Sequence, residues 1–487
     1  RGDPVGSTSG LGEPDLSSNS KGELPLQKGP LDAGVQTALA CVVFSVASYL
    51  GQVPTTLAAL LGLVLLGIGI REGTLPARNS PAWLALLSWF LIIMGILVPT
   101  YTRFPHPPRA YFVAGAAILA ITVGVVLARP RLTGRLGVAL MVLVVVAVAA
   151  VGVALVRATE GLGIDVYHLH FQAAQALAKG RSPYDDSVAV FNGAPNAEPG
   201  SMIVGYPYPP ATAALYAPLT RLTGEPRWIN LAAWLLILGL LLGTAVRHRE
   251  RTGFLIGILI ASVPAWPFMV QAGWTEMVSL ALLVVAGLAW IRFPMWSAVS
   301  LGVAIATKQY FLVTLPLLLL HPAVRGKRSL VALGTAGLTL VPFLILDPSN
   351  LWEATVAFHL NTPPRVDSAN LVGMLAELGV SWNPPTLLSI LLPLLVATMV
   401  AFKSRHRSGF MAGLALVLGL FYMVSSQAFT NYWFLIAGLC GLAAFLEEGP
   451  EMTAPIGQVG RRPGSAGGSS CRVPAEERTA TTKDQDR

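Results

Sequence analysis

Long apolar runs alternate with short polar links along most of the chain. The runs lie at about 34–50, 54–70, 82–98, 111–128 and 136–156, and then at about 229–246, 253–270, 275–291, 295–321, 329–346, 385–402, 408–425 and 432–447. Most approach the ~20 residues that an α-helix needs to cross a bilayer. The pattern predicts an all-α, polytopic membrane protein of about 12–14 transmembrane helices, some short or re-entrant. Two long polar loops break the rhythm, at 157–228 and 347–384. A Gly/Ser/Pro/Glu-rich leader (1–30) and a Gly/Pro/Arg/Thr-rich tail (448–487) flank the runs, and both read as disordered.

Within the first loop, residues 168–179 have helical spacing. Phe171, Ala174, Leu177 and Ala178 form one apolar stripe, which suggests a helix lying along the membrane surface and ending at Gly180. A second amphipathic piece, Ala211–Leu222, follows the prolines of Tyr206–Pro210. A short turn would be enough to join two spans, so a long and chemically varied loop is where function is sought first. This loop carries Asp165, Asp185, Asp186, His168 and His170.

Composition supports the membrane reading. The 487 residues are 54% hydrophobic and 12% charged, with a mean hydropathy of +0.62, whereas a soluble domain carries about 25% charged residues. The net charge of +8 does not point to nucleic acid, because the basic residues sit in short links between apolar runs and are not interleaved with aromatics. Four clusters stand out: Arg129/Arg131/Arg135, Arg247/Arg249/Arg251, Arg325/Lys327/Arg328 and Lys403/Arg405/Arg407. Placing all four in the cytoplasm puts both polar loops outside and both termini inside a plasma membrane. It also requires residues 295–321 to enter the membrane and return. We read that run as a hairpin of two short helices with Lys308 near its tip; one long tilted span with a snorkelling lysine is the alternative. The cysteines Cys41, Cys440 and Cys471 form no CxxC or Cys/His cluster, and no cleavable signal peptide is visible.

Asp165-Val-Tyr167 follows a span, and Gln-Ala-Ala-Gln-Ala-Leu-Ala-Lys-Gly180 and Ser182-Pro-Tyr184-Asp185 come next. Tyr206-Pro-Tyr-Pro-Pro210 and Ala217-Pro-Leu219 complete the series. In this order the chain resembles GT-C type glycosyltransferases, and more narrowly the polyprenyl-phosphate-mannose-dependent α-mannosyltransferase-like family (glycosyltransferase family 87). The resemblance covers roughly 136–446. It implies a GT-C core over 129–447 preceded by additional helices at 31–128. It departs at Gly273-Trp-Thr-Glu276, where many members read Gly-Gln-Asn after the third core span. The implied activity is transfer of a sugar, mannose in the family, from a polyprenyl-phosphate donor to the hydroxyl of a glycolipid or glycan acceptor on the outer face. No cofactor is implied.

Such a reaction needs a base for the acceptor hydroxyl and positive charge on the departing phosphate. The family's base is a carboxylate in the first outer loop, and Asp165 occupies that position; a helix cap is the alternative. Lys308 suits a lipid phosphate, because a charge at membrane depth costs ~2.5–3.5 kcal/mol unless it lines a cavity or meets a counter-charge. Glu276 either orients the acceptor or pairs with Lys308. Arg365, through its two-pronged guanidinium, and His359 are further phosphate candidates. Tyr167, Tyr206 and Tyr208 are candidate substrate-binding residues, with wall-building as the alternative for Tyr206 and Tyr208. Gln427 and Asn431 are candidate sugar contacts, with capping of the last span by Thr430 and Asn431 as the alternative. Asp185, Asp186 and Asp347 read as turn or cap residues. A divalent metal held by Asp165, His168 and a distant ligand is a further alternative. A transporter or lipid flippase is the competing function, but the broken run at 295–321 has no matching partner elsewhere, as paired transporter halves would require. Ligases or polymerases of surface polysaccharides, also multi-pass, depend on arginines in outer loops and lack the early Asp followed by Tyr-Pro-Pro.

Overall fold

The computed structural model describes residues 109–129, 132, 134–158, 165–185, 188–190, 202–362, 364, 365 and 367–448, with short stretches before them, chiefly 56–64. The leader 1–30, most of the extra runs before 109, Asp186 and the tail after 448 lie outside the described residues. From residue 109 onwards the helices are α1 Arg109–Ala128, α2 Gly134–Ala158, α3 Asp165–Ala178, α4 Pro210–Thr223, α5 Arg227–His248, α6 Arg251–Ala261, α7 Trp266–Ala272, α8 Glu276–Ala289 and α9 Pro294–Ile305. They continue with α10 Leu315–Leu320, α11 Lys327–Leu346, α12 Pro348–Trp352, α13 Phe358–Asn361, α14 Leu371–Glu377, α15 Thr386–Lys403, α16 Arg407–Val424 and α17 Thr430–Glu448.

Six of these helices are long and apolar enough to cross a membrane: α2, α5, α11, α15, α16 and α17. A seventh span results if α6 and α7, bent by 49°, count as one. The protein is a multi-pass membrane protein with a helical body. Among the described residues the strands form one small ribbon in the first polar loop, where β1 (Val188–Val190) pairs antiparallel with β2 (Met202–Val204), Val188 opposite Val204.

The basic links gather at one end. Arg251 donates to the Leu127 carbonyl at 2.9 Å, joining the second link to the first. Trp290, at the end of α8, and His321, after α10, both pack on Phe410 at the start of α16. The Arg328 guanidinium lies 5.5 Å over the Trp290 ring. The end of α17 connects the two groups: a Cβ at Gly253 would meet Phe445, and one at Gly287 would meet Leu446.

The other end holds the polar loops. Arg227 donates to the Val156 carbonyl at 3.0 Å, Asn230 to Trp274 O at 2.6 Å, and Ser389 to Val424 O at 2.6 Å. Asn370 caps α14 through the Val372 and Gly373 amides, while its amide nitrogen donates to Tyr422 O and Ser425 O. It thereby fastens the second polar loop to the turn between α16 and α17.

The run 295–321 turns back on itself. α9 leaves the basic end beside Arg292, and α10 returns to that end at His321. The turn lies at Ala306–Lys308, where the backbone becomes extended at Lys308 (φ −147°, ψ 134°) before a 3-10 turn over Gln309–Thr314. The Thr307 hydroxyl donates to Ala304 O at 2.6 Å and closes the end of α9. A glycine lets α9 lie against α11: a Cβ at Gly302 would collide with the Ala332 carbonyl oxygen. Lys308 is thus carried by the hairpin to the end of the molecule that holds the two polar loops.

Candidate functional site

The site begins where α3 begins. Asp165 is the first residue of that helix, where a negative charge is favoured by the helix dipole. Its Oδ1 accepts the Val166 amide at 2.8 Å, which leaves Oδ2 for a second partner. Burial raises the pKa of this carboxyl above its ordinary value, while Arg365 and Lys308 are near enough to pull it partly back. Three groups that stand far apart in sequence therefore share one electrostatic environment. All three are candidates on sequence grounds.

The two histidines of α3 face different ways, as a spacing of two on a helix requires. His168 and Phe171 pack around the Tyr167 ring, over which the Arg227 guanidinium lies at 5.4 Å. Arg227 is itself paired with Glu225 at 2.7 Å. Tyr167 thus anchors α3 to the start of α5. His170 is fully buried, stacked 4.0 Å from the Tyr216 ring and 5.3 Å from the Tyr208 ring. Its Nδ1 lies 2.9 Å from the Tyr206 hydroxyl. Burial lowers its pKa well below the usual imidazole range, so the ring is neutral. Among the described residues no group of three or more His, Cys, Asp or Glu is placed to hold a metal ion.

Tyr206–Pro210 forms a strap across the site. Proline lacks an N–H, so Pro207, Pro209 and Pro210 offer no backbone donor. The strap is held instead by donors that come to its carbonyls. His359 Nε2 lies 3.0 Å from Pro207 O, and Gln309 Nε2 approaches the same oxygen at 3.5 Å. The Tyr184 hydroxyl donates to Tyr208 O at 2.9 Å, and the Thr212 amide to Pro209 O at 3.1 Å. The Thr212 hydroxyl also donates to Thr307 O at 2.6 Å, which joins α4 to the hairpin tip.

At that tip Lys308 Nζ stands 3.1 Å from Glu276 Oε1; their side chains are 5% and 0% exposed. Lys308 lies 4.2 Å from the centre of the Tyr208 ring, 5.8 Å from that of Tyr310 and 5.9 Å from that of Tyr432. Tyr310 also donates to Glu276 Oε1 at 3.4 Å. The two alternatives raised for Glu276 are therefore unequal here, since it pairs with Lys308. Glu276 Oε2 is buried without a hydrogen-bond partner, as is Oδ1 of Asn431. A buried carboxylate is costly unless paired, and the aromatic cage adds cation–π attraction to the ion pair.

The second polar loop closes over the strap. Asp347 accepts from the Ser182 hydroxyl at 2.5 Å, and Asn350 lies 3.4 Å from Asp185. Arg365 bonds Asp367 through both Nε (2.9 Å) and NH2 (2.7 Å), and its guanidinium lies 4.7 Å over the Phe429 ring. The two side chains are 21% and 31% exposed. The pair is part-buried, and its guanidinium keeps some exposure to solvent. His359 is held near neutral by burial, with its pKa lowered to about 4. Gln427 is half-buried, and its carbonyl accepts from the Ser425 hydroxyl at 2.8 Å.

Sequence reasoning missed Tyr310, Tyr432, Phe429, Tyr216 and Gln309. Tyr310, Tyr432 and Phe429 lie in or beside apolar runs, where an aromatic reads as ordinary packing. Only the nearby charges, Lys308 and Arg365, could have drawn attention to them.

Comparison with known proteins finds a family pattern in part of the chain. The sequence pattern of glycosyltransferase family 87 matches residues 206–426. That segment begins at the strap and includes the hairpin, the second polar loop and Gln427's neighbour Ser426; Asp165 precedes it. No curated protein matches the chain. A solved structure that matches is that of ArnT from Cupriavidus metallidurans bound to undecaprenyl phosphate. It is 16% identical, with a TM-score of 0.40, and the match covers 64% of this chain and 59% of that one. Over the matched segment, the chain is similar to glycosyltransferase family 87.

Proposed function

We propose that the protein transfers a sugar from a polyprenyl-phosphate donor to an acceptor hydroxyl, at the end of the molecule where the polar loops meet. Mannose is the sugar that the family resemblance suggests. One observation carries the reading: a carboxyl whose pKa is raised by burial, Asp165, shares its surroundings with the two cations Lys308 and Arg365. The carboxylate takes the proton of the acceptor hydroxyl. Arg365, released from Asp367, and Lys308, shared with Glu276, balance the charge that grows on the leaving phosphate. Tyr208, Tyr206, Gln427 and Asn431 line the approach to the sugar. The test is transfer from labelled polyprenyl-phosphate mannose in liposomes that hold the purified protein. Labelled product is expected; movement of the lipid between leaflets without product would instead favour a flippase.

The same reading places the loop end outside the cell, because the four basic clusters share the opposite end and basic links stay in the cytoplasm. In a cysteine-free background, a membrane-impermeant thiol reagent added to intact cells is expected to label Lys179→Cys. Arg325→Cys should be labelled only after the membrane is opened; both positions are exposed in the structure. The reverse pattern would overturn the orientation.

A further inference from the structure

Pro207 has a single polar backbone atom, its carbonyl oxygen, and two side chains from different parts of the chain point their donors at it. One is His359 of the second polar loop and the other is Gln309 beside the hairpin tip. A carbonyl has two lone pairs and can accept both. The residues on either side of Pro207 carry the rings that shape the site. Tyr206 is bonded to His170 on α3, and Tyr208 faces Lys308 at 4.2 Å. Leu351 and Ala354 of the second loop also pack among Tyr184, Tyr206 and Tyr208.

We propose that His359 is a positioning residue, which with Gln309 holds the Tyr206–Pro210 strap so that Tyr208 stays over Lys308. The inference rests on the reading of this site as a glycosyltransferase centre, but its geometry does not. A carbonyl only accepts, so the His359 Nε2 must carry the proton that it donates to Pro207. In the neutral ring Nδ1 is then a lone-pair acceptor, which repels an anion. His359 is thereby removed from the phosphate ligands that the sequence had suggested.

The test compares His359→Gln, whose amide nitrogen can take the place of Nε2, with His359→Phe, which keeps the ring and loses the donor. Two readouts are needed. Hydrogen–deuterium exchange follows the amides of Tyr206, Tyr208 and residues 211–213, and donor titrations give kcat and KM. His359→Gln is expected to keep wild-type exchange and kcat within about threefold, since a ring misplaced by ~1 Å is what costs rate and the amide restores the contact. His359→Phe is expected to exchange faster around the strap and to lose kcat by about tenfold or more, with donor KM nearly unchanged. If His359→Phe does not fold, Gln309→Leu in the His359→Gln background serves in its place, with the same expected signs. The proposal is overturned if His359→Gln is as inactive as His359→Phe while its exchange stays wild type, or if both variants mainly raise donor KM. A wild-type protein that transfers no sugar would sink the functional reading, and the exchange comparison would still decide the clamp.

Discussion

Asp165→Asn is expected to lower sugar transfer by about 10²–10⁴-fold, the usual contribution of a positioned base, while leaving the amount of folded protein in the membrane unchanged. The amide keeps the shape of the side chain and its oxygen can still accept the Val166 N–H, so the start of α3 is preserved. Only the ability to take a proton is lost. Full activity in the variant would remove Asp165 from the role. The pH profile adds a second check, and its sign is fixed. The base works when ionised, so activity rises as pH passes the Asp165 pKa. Burial raises that pKa above 3.8, and the rising limb is expected above the ordinary carboxylate range. Arg365 pulls the pKa down; Arg365→Met should therefore move the limb to still higher pH. A limb that shifts downward, or does not move, would separate Arg365 from the base.

Lys308→Met is expected to destabilise the protein by about 3–5 kcal/mol, the cost of leaving one member of a buried ion pair alone. Glu276 is wholly buried, and one of its oxygens already lacks a partner. Removing the lysine leaves the Tyr310 hydroxyl as the remaining contact on Oε1. The double variant Lys308→Met/Glu276→Gln should recover most of the folded fraction, measured by thermal unfolding in detergent. It is nonetheless expected to transfer poorly, with a raised donor KM, because Lys308 is assigned to the phosphate as well as to Glu276. If the double variant regains wild-type transfer, Lys308 is a structural cation and Arg365 serves the phosphate alone.

Much of this arrangement is legible in the sequence because charge and apolar length are strong signals in a membrane. The clusters at Arg129, Arg251, Arg328 and Arg407 are consistent with one end, and a lysine halfway along a 27-residue apolar run is either the tip of a hairpin or a snorkelling side chain on one tilted span. That reasoning leads to the hairpin and to the meeting of Asp165, Lys308 and Arg365. Contacts made by backbone atoms are not legible. His359 and Pro207 lie 152 positions apart, and the atom that His359 bonds is a carbonyl every residue possesses. A histidine in a polar loop therefore suggests an anion site, although its partner is a proline. The tyrosine cage is hidden for another reason: Tyr310 and Tyr432 occupy apolar segments whose composition predicts lipid or core contact. The ribbon β1–β2 escapes notice because three-residue strands are too short for alternation to be read.

The hairpin limits how far Lys308 reaches along the molecule. Its first arm, α9, has 12 residues, a rise of about 18 Å, against a hydrocarbon layer about 30 Å thick. For an arm that starts at one edge of that layer and runs along its normal, Lys308 stops about 10 Å short of the other edge. The ammonium is also almost wholly buried. An anionic headgroup that met it would have to leave the interface, so the thickness of the surrounding bilayer would govern how readily a lipid-borne substrate arrives.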